Sequence, residues 1–281
     1  MNRPRLPARS RTSGLRRYLL AACALGLVAN APALAQRPGD LAFTTWNADE
    51  DGWTLVALVN LPASGRIFFT DNDFDGVRFG TGEGFLQWDL PTTGVAEGTP
   101  VRFSRIDSAT AAAASLGQLQ RLWLPGSTAP QLAQAGDTLY AYLGSDALTP
   151  TVFLGAVTTE APSQVAARLA GTQLQPGRTA LALAPATEFA DYGGPRSFAS
   201  LPQWQAAING ASAFTQTSGA AFALDTPTLA PFTPVPEPAA WWLGLAAAAW
   251  LWRRQRAGRV GTDPFGSHKS LPTCGSVTRA A

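Results

Sequence analysis

Through the middle of the chain, short apolar runs rich in β-branched and aromatic residues are broken every few positions by Gly, Pro, Asp or Asn. Eight of them, at residues 41–46, 53–61, 66–70, 85–90, 100–106, 138–143, 152–157 and 179–183, read as strands. Their number and punctuation predict a mainly β chain folded as one β-sandwich, with loops longer than minimal hairpins need. Two stretches read as helices. Residues 108–119 are alanine-rich behind a capping Asp107 or Ser108. Residues 203–208 follow Ser200 and Pro202 and stop at Asn209-Gly210. One or two short helices are therefore expected at the sandwich edges. Residues 211–234, with Pro227, Pro231 and Pro234, read as a last strand or an extended spacer.

The two ends follow a different pattern. Residues 1–17 hold six arginines and no acid, and residues 18–28 are unbroken apolar or small positions, as in the n- and h-regions of a secretory signal. Ala33 and Ala35 are the small residues of a cleavage site that leaves Gln36 as the new N-terminus. A lipoprotein cut before Cys23 would leave only residues 18–22 as the apolar segment. Near the other end, residues 239–252 form an apolar run of 14 positions. As a helix it reaches roughly 21 Å against a hydrocarbon core of about 30 Å, too short to span comfortably. Trp241, Trp242, Trp250 and Trp252 lie near its ends, where indole suits the lipid–water interface. Arg253, Arg254 and Arg256 behind it hold that side cytoplasmic.

The order Val235-Pro236-Glu237-Pro238, apolar run, then arginines resembles the PEP-CTERM sorting signal, over residues 235–256. The resemblance implies an exported protein of a Gram-negative bacterium that is carried across the inner membrane by the secretion machinery. It implies transient anchoring, then handling by an exosortase-type membrane enzyme, and a final place at the cell surface or in extracellular or biofilm matrix. Pro236, Glu237, Pro238, Arg253, Arg254 and Arg256 are the residues that match the signal. The family usually ends within a few residues of the arginines, whereas residues 257–281 follow here as an atypical tail. The chain then divides into a signal peptide at 1–35, a sandwich domain at 36–210, the strand or spacer at 211–234, the sorting segment at 235–256 and the tail.

Removing the ends changes the charge. The whole chain is formally +2, but residues 36–238 contain nine arginines, no lysine and 18 acids, which makes the exported part −9. Such a surface repels phosphate backbones, so nucleic acid is not an expected partner. The same residues contain no Cys, His or Met. Ser-His-Asp, Cys-His and lysine-based catalysis each lack a central residue, as do His- or Cys-ligated zinc, copper and haem sites. Carboxylate chemistry, hard-cation binding or a non-catalytic role remain. Without disulfides, stability must come from an apolar core.

Within the exported part, Gly39-Asp40-Leu41-Ala42-Phe43-Thr44, Ile67-Phe68-Phe69-Thr70-Asp71-Asn72 and Gly136-Asp137-Thr138-Leu139-Tyr140 resemble segments of a β-domain recurrent among bacterial surface proteins. The order of Gly52-Trp53, Phe69-Thr70-Asp71, Gly98-Thr99-Pro100-Val101 and Gly136-Asp137-Thr138-Leu139 is similar to a lamin-tail immunoglobulin-like sandwich over residues 39–157. This implies an immunoglobulin-like or related fold, and a binding or structural module rather than an enzyme.

Two acidic loops share one spacing. Asn47, Asp49 and Asp51 precede Gly52, and Asp71, Asp73 and Asp75 precede Gly76. Alternate oxygen ligands around a tight turn suit Ca²⁺, with Glu83 as a further ligand of the second loop. Neither loop has the acid that an EF-hand needs at position 12, and Asp, Asn and Gly cluster equally where hairpins turn. A calcium-stabilised carbohydrate-binding or adhesion module is one alternative, with polysaccharide as partner. A carboxylate-only glycoside hydrolase is the other, with Glu83 and Asp89 flanking a sugar-stacking Trp88 as its candidate acids.

Overall fold

A computed structural model describes residues 35–219, 226, 230–234 and 247–253. All eight anticipated runs are strands: β1 (Leu41–Asn47), β2 (Gly52–Ala57), β3 (Arg66–Thr70), β4 (Phe85–Asp89), β5 (Pro100–Ser104), then β8 (Thr138–Gly144), β9 (Pro150–Thr158) and β10 (Ala180–Ala182). Five further strands join them: β6 (Ala113–Ala114), β7 (Gln118–Leu122), β11 (Phe189–Tyr192), β12 (Ser197–Phe198) and β13 (Phe214–Thr217). A short β14 (Thr233–Pro234) pairs with β12. One six-stranded sheet runs β13-β11-β1-β2-β5-β6 and the other β10-β9-β8-β3-β4-β7, in a sandwich-like arrangement.

Aromatic side chains from both sheets meet in the core. Trp53 and Phe103, opposite each other on β2 and β5, stack with ring centroids 5.1 Å apart. Phe69 and Trp88 from β3 and β4 reach Phe103 at 5.0 and 5.2 Å. Each such ring buries on the order of 150–250 Å², so this cluster is a large part of what holds the sheets face to face.

The second sheet is buried on its other face as well. Phe68, Phe85, Tyr140, Tyr142 and Phe153 form a separate apolar cluster there. Phe79 from the β3–β4 loop covers it, together with Val165 and Leu169 from around helix α1 (Pro162–Arg168). Burial on both faces explains why Ile67-Phe68-Phe69 is continuously apolar instead of alternating. It also fixes the β3–β4 loop against the sheet.

The helix over residues 201–208 is present as α2 (Leu201–Ile208), with buried Trp204 and Ile208 facing the core. The helix expected over 108–119 is not. Ser108 does accept the Ala111 amide at 3.0 Å, but this local cap does not propagate. Residues 113–114 instead pair with β5 and residues 118–122 with β4, at the edges of the two sheets, and Gly117 lies between them at φ 73°. There the chain passes so close to β4 that a Cβ on Gly117 would lie 2.4 Å from the Asp89 carbonyl oxygen. Alanine propensity is a weak preference, and an open edge of a sheet outweighed it.

α1 was not anticipated. Proline in its first turn is its only strong local signal. A 3₁₀ turn at Ala211–Ala213 leads into β13, which pairs with β11 and so joins the first sheet. Among the described residues no helix is long and apolar enough to cross a membrane.

Candidate acidic cavity

The acidic turns lie at one end of the sandwich. In the β1–β2 turn, the Asn47 side-chain oxygen accepts the Asp49 and Glu50 amides, both at 3.1 Å. Asp49 accepts the Gln134 side-chain amide at 3.0 Å, and Asp51 accepts the Leu132 backbone amide at 2.6 Å. Glu50 pairs with Arg102 at 3.1 Å and also accepts the Thr226 amide and hydroxyl. These oxygens point to separate partners rather than to one centre, so this turn reads as a structural joint.

The β3–β4 loop is built differently. Asn72 clamps its neck: its side-chain oxygen accepts the Glu83 amide at 2.8 Å while its nitrogen donates to Thr70 Oγ1 at 2.8 Å. Above this clamp, Asp71, Asp73 and Glu83 line a cavity of about 340 Å³. Asp75 does not join them. It is exposed, and its carboxylate accepts the Val77 and Arg78 amides at 2.8 and 2.7 Å, which hold its pKa below the usual range. Asp75, expected as an alternate calcium ligand, instead closes a local turn, because the amides two and three residues ahead take up its carboxylate.

Two further acids reach the cavity from the neighbouring strands. Asp137 stands immediately before β8 and Glu160 shortly after β9, and Tyr140 and Arg168 complete that side. Pairing of Thr70 with Tyr140 and of Thr138 with Thr158 carries these ends together. Nothing in the spacing of Asp137 and Glu160 relative to Asp71 marked them as neighbours, because strand pairing alone sets that proximity. Arg168 bonds Glu160 Oε1 at 2.7 Å through Nε and forms an ion pair with Asp73 through Nη1.

Burial drives the electrostatics. Asp71 is pushed up to about 8, first by desolvation and then by the negative Asp137 and Glu83. Asp137 is pushed up to about 6 by burial, against the Ala133 and Thr138 amides that it accepts at 2.8 and 2.7 Å. Near neutral pH, Asp71 therefore holds a proton that a cation could displace. The donor set is hard oxygen, suited in chemistry to Ca²⁺. As arranged, however, no group of three or more acids, cysteines or histidines among the described residues is disposed to hold a metal ion.

The pair considered for hydrolysis is separated. Glu83 precedes β4 and Asp89 ends it. Six residue steps of extended chain come to roughly 20 Å, beyond the 5–9 Å of paired glycosidase acids. Asp89 instead gathers Arg66, Gln87 and Gln120 around it on the sheet surface. Trp88 is fully buried and donates to the Leu116 carbonyl at 2.8 Å, so it offers no face to a sugar.

Of the segment-end residues, Ala35 is exposed and Gln36 half-buried, and Arg253 closes a described helical stretch at 247–253. Ala33, Pro236, Glu237, Pro238, Arg254 and Arg256 lie outside the described residues. No family model matches the chain, and no curated protein or solved structure shows significant similarity to it. The fold and the cavity define a mainly β, two-sheet protein with a carboxylate-lined cavity at one end.

Proposed function

We propose that this chain is an exported protein of a Gram-negative envelope or extracellular matrix, whose C-terminal segment is recognised by an exosortase-type enzyme. Its β-domain acts by binding or by occupying a surface rather than by catalysis. The observation that carries this reading is the ordered Pro236-Glu237-Pro238, apolar run and arginine cluster, opposite a signal-like N-terminus. The finer assignment of the sandwich as immunoglobulin-like belongs to the same reading. It is supported by the repeated passage of the chain between sheets, from β2 to β3 and from β4 to β5. Fractionating cells with and without the sorting enzyme, and sequencing both ends of the recovered protein, tests it. A product that keeps residues 241–256 in both strains rejects processing.

A second reading has its own observation. Asp71, Asp73, Glu83, Asp137 and Glu160 line one cavity, and Ca²⁺ drawing their oxygens together there would relieve the mutual repulsion and displace the Asp71 proton. The domain is then a calcium-stabilised adhesion or carbohydrate-binding module. A thermal melt that is the same in millimolar Ca²⁺ and in chelator rejects it.

A further inference from the structure

The chain does not leave the domain at β13. Thr226 is buried beside Gly52 and donates through both its amide and its hydroxyl to Glu50 Oε2, at the acidic end of the sandwich. Phe232 is 2% exposed at the opposite end, against Tyr192 and Trp204 with ring centroids at 5.8 and 6.1 Å. Its amide donates to the Gly98 carbonyl at 2.8 Å. The Arg196 guanidinium lies 5.6 Å from its ring and donates to the Ala230 carbonyl at 2.8 Å. The Thr233 amide then donates to the Arg196 carbonyl at 2.8 Å, which starts the β12–β14 pair.

We infer that the described Thr226 and residues 230–234 are anchor points that belong to the folded domain, a strap held at both ends, and that the second of them makes the domain stand on its Gly98–Arg196 end with the carboxylate cavity turned away from the bilayer. The second half of this inference rests on the proposed membrane holding of the C-terminal segment. The reach of the chain gives the geometry. Six residue steps separate Thr233, still hydrogen-bonded to the domain, from Ala239 at the start of the apolar run. They extend about 21 Å at most. The polar headgroup layer takes roughly 5–8 Å of that reach.

The Gly98–Arg196 end is therefore held close to the lipid surface. The acidic turns stand beyond the far end of β1, whose seven residues span roughly 20 Å. That separation is about two and a half Debye lengths at physiological salt, so anionic headgroups repel the cavity little in this orientation and strongly in the inverse one. A flexible spacer would have allowed both orientations, and the buried Phe232 removes most of that freedom.

Two measurements on the full-length chain test the inference. Hydrogen exchange reads the strap directly. Peptides covering residues 230–234 are expected to be protected like those of β11, and Phe232→Ala to lower their protection at least tenfold. Phe232→Leu, which still fills the slot, is expected to retain most of it. Exchange of the unaltered segment at free-peptide rates overturns the strap, whether or not the chain meets a membrane.

Orientation is read in nanodiscs of phosphatidylglycerol and phosphatidylethanolamine containing a headgroup-linked fluorescence quencher. Cys23 and Cys274 are replaced by serine, and a fluorophore is carried on Ser197→Cys or on Gln131→Cys. Quenching at position 197 at least threefold stronger than at 131 is the expected result. Equal or reversed quenching overturns the orientation while leaving membrane holding intact. A chain that does not associate with the discs overturns membrane holding itself, and the exchange data still decide the strap.

Discussion

Asp51 accepts the backbone amide of Leu132 at 2.6 Å, across 81 positions of sequence, and so ties the β1–β2 turn to the segment that lines the acidic cavity. Asp51 sits at φ 53°, a region that Asp tolerates better than most residues, and burial raises its pKa to about 6. Asp51→Ala leaves the Leu132 amide without its acceptor in a buried place. A loss of about 1–3 kcal/mol is expected by denaturant unfolding. Asp51→Asn, which keeps an acceptor oxygen, is expected to lose much less.

Stability should fall as the medium turns alkaline. Asp71 titrates near 8 in the fold, and Asp137 and Asp51 near 6, all above the 3.8 of an unperturbed carboxyl. The native state thus binds more protons than the unfolded chain between about pH 4 and 8, and the difference works against folding progressively as pH rises through that window. The melting temperature is expected to be several degrees higher at pH 5.5 than at pH 8.5. Asp71→Asn should flatten that slope, and a profile with its maximum at pH 8.5 would contradict the protonated Asp71.

Arg168 holds two carboxylates at once, and Glu160 is the buried one, with 4% of its side chain exposed. Arg168→Gln leaves that charge without its partner, and a loss of about 3 kcal/mol is expected, at the low end for a buried pair because the Arg168 side chain is 35% exposed. Adding Glu160→Gln should restore part of the loss. A double-mutant cycle by urea unfolding, showing clear non-additivity, is the check.

Trp88 tests whether the core or a sugar surface explains the tryptophan. Trp88→Ala removes a fully buried ring stacked into the Phe69–Phe103 cluster and its bond to Leu116, and should cost about 3–5 kcal/mol. Trp88→Phe should cost less and leave any polysaccharide affinity of the domain unchanged, as measured by pull-down on insoluble matrix polysaccharide.

If calcium occupies the cavity, it competes with the Asp71 proton. Millimolar Ca²⁺ should then raise the melting temperature more at pH 8 than at pH 5.5, and Asp137→Asn should abolish the increment.

The sequence by itself determined the eight strands of the apolar runs. Runs such as Ile67-Phe68-Phe69 and Leu139-Tyr140-Ala141 have one stable use, which is burial in a sheet, and Gly, Pro and Asn mark where each must stop. It determined the helix anticipated at residues 203–208 and found at 201–208 as well, because Pro202 in the first turn and the Asn209-Gly210 stop are local, although the Ser200 side chain makes no capping bond. Only tertiary structure decided the rest. The edge of β4 turned residues 118–122 into a strand against the preference of nearby alanines, and the buried outer face of the second sheet required α1 as a cover.

The candidate site divides in the same way. Asp71, Asp73 and Glu83 were legible as an acidic turn, because their spacing is local. Asp137 and Glu160 joined them only through the pairing of β3 with β8 and of β8 with β9, and Asp75 left the group because the nearest amides satisfied it first. Local hydrogen bonds can be read along a chain. Strand pairing brings together residues that the sequence keeps far apart, and only the fold reveals which of them share a cavity.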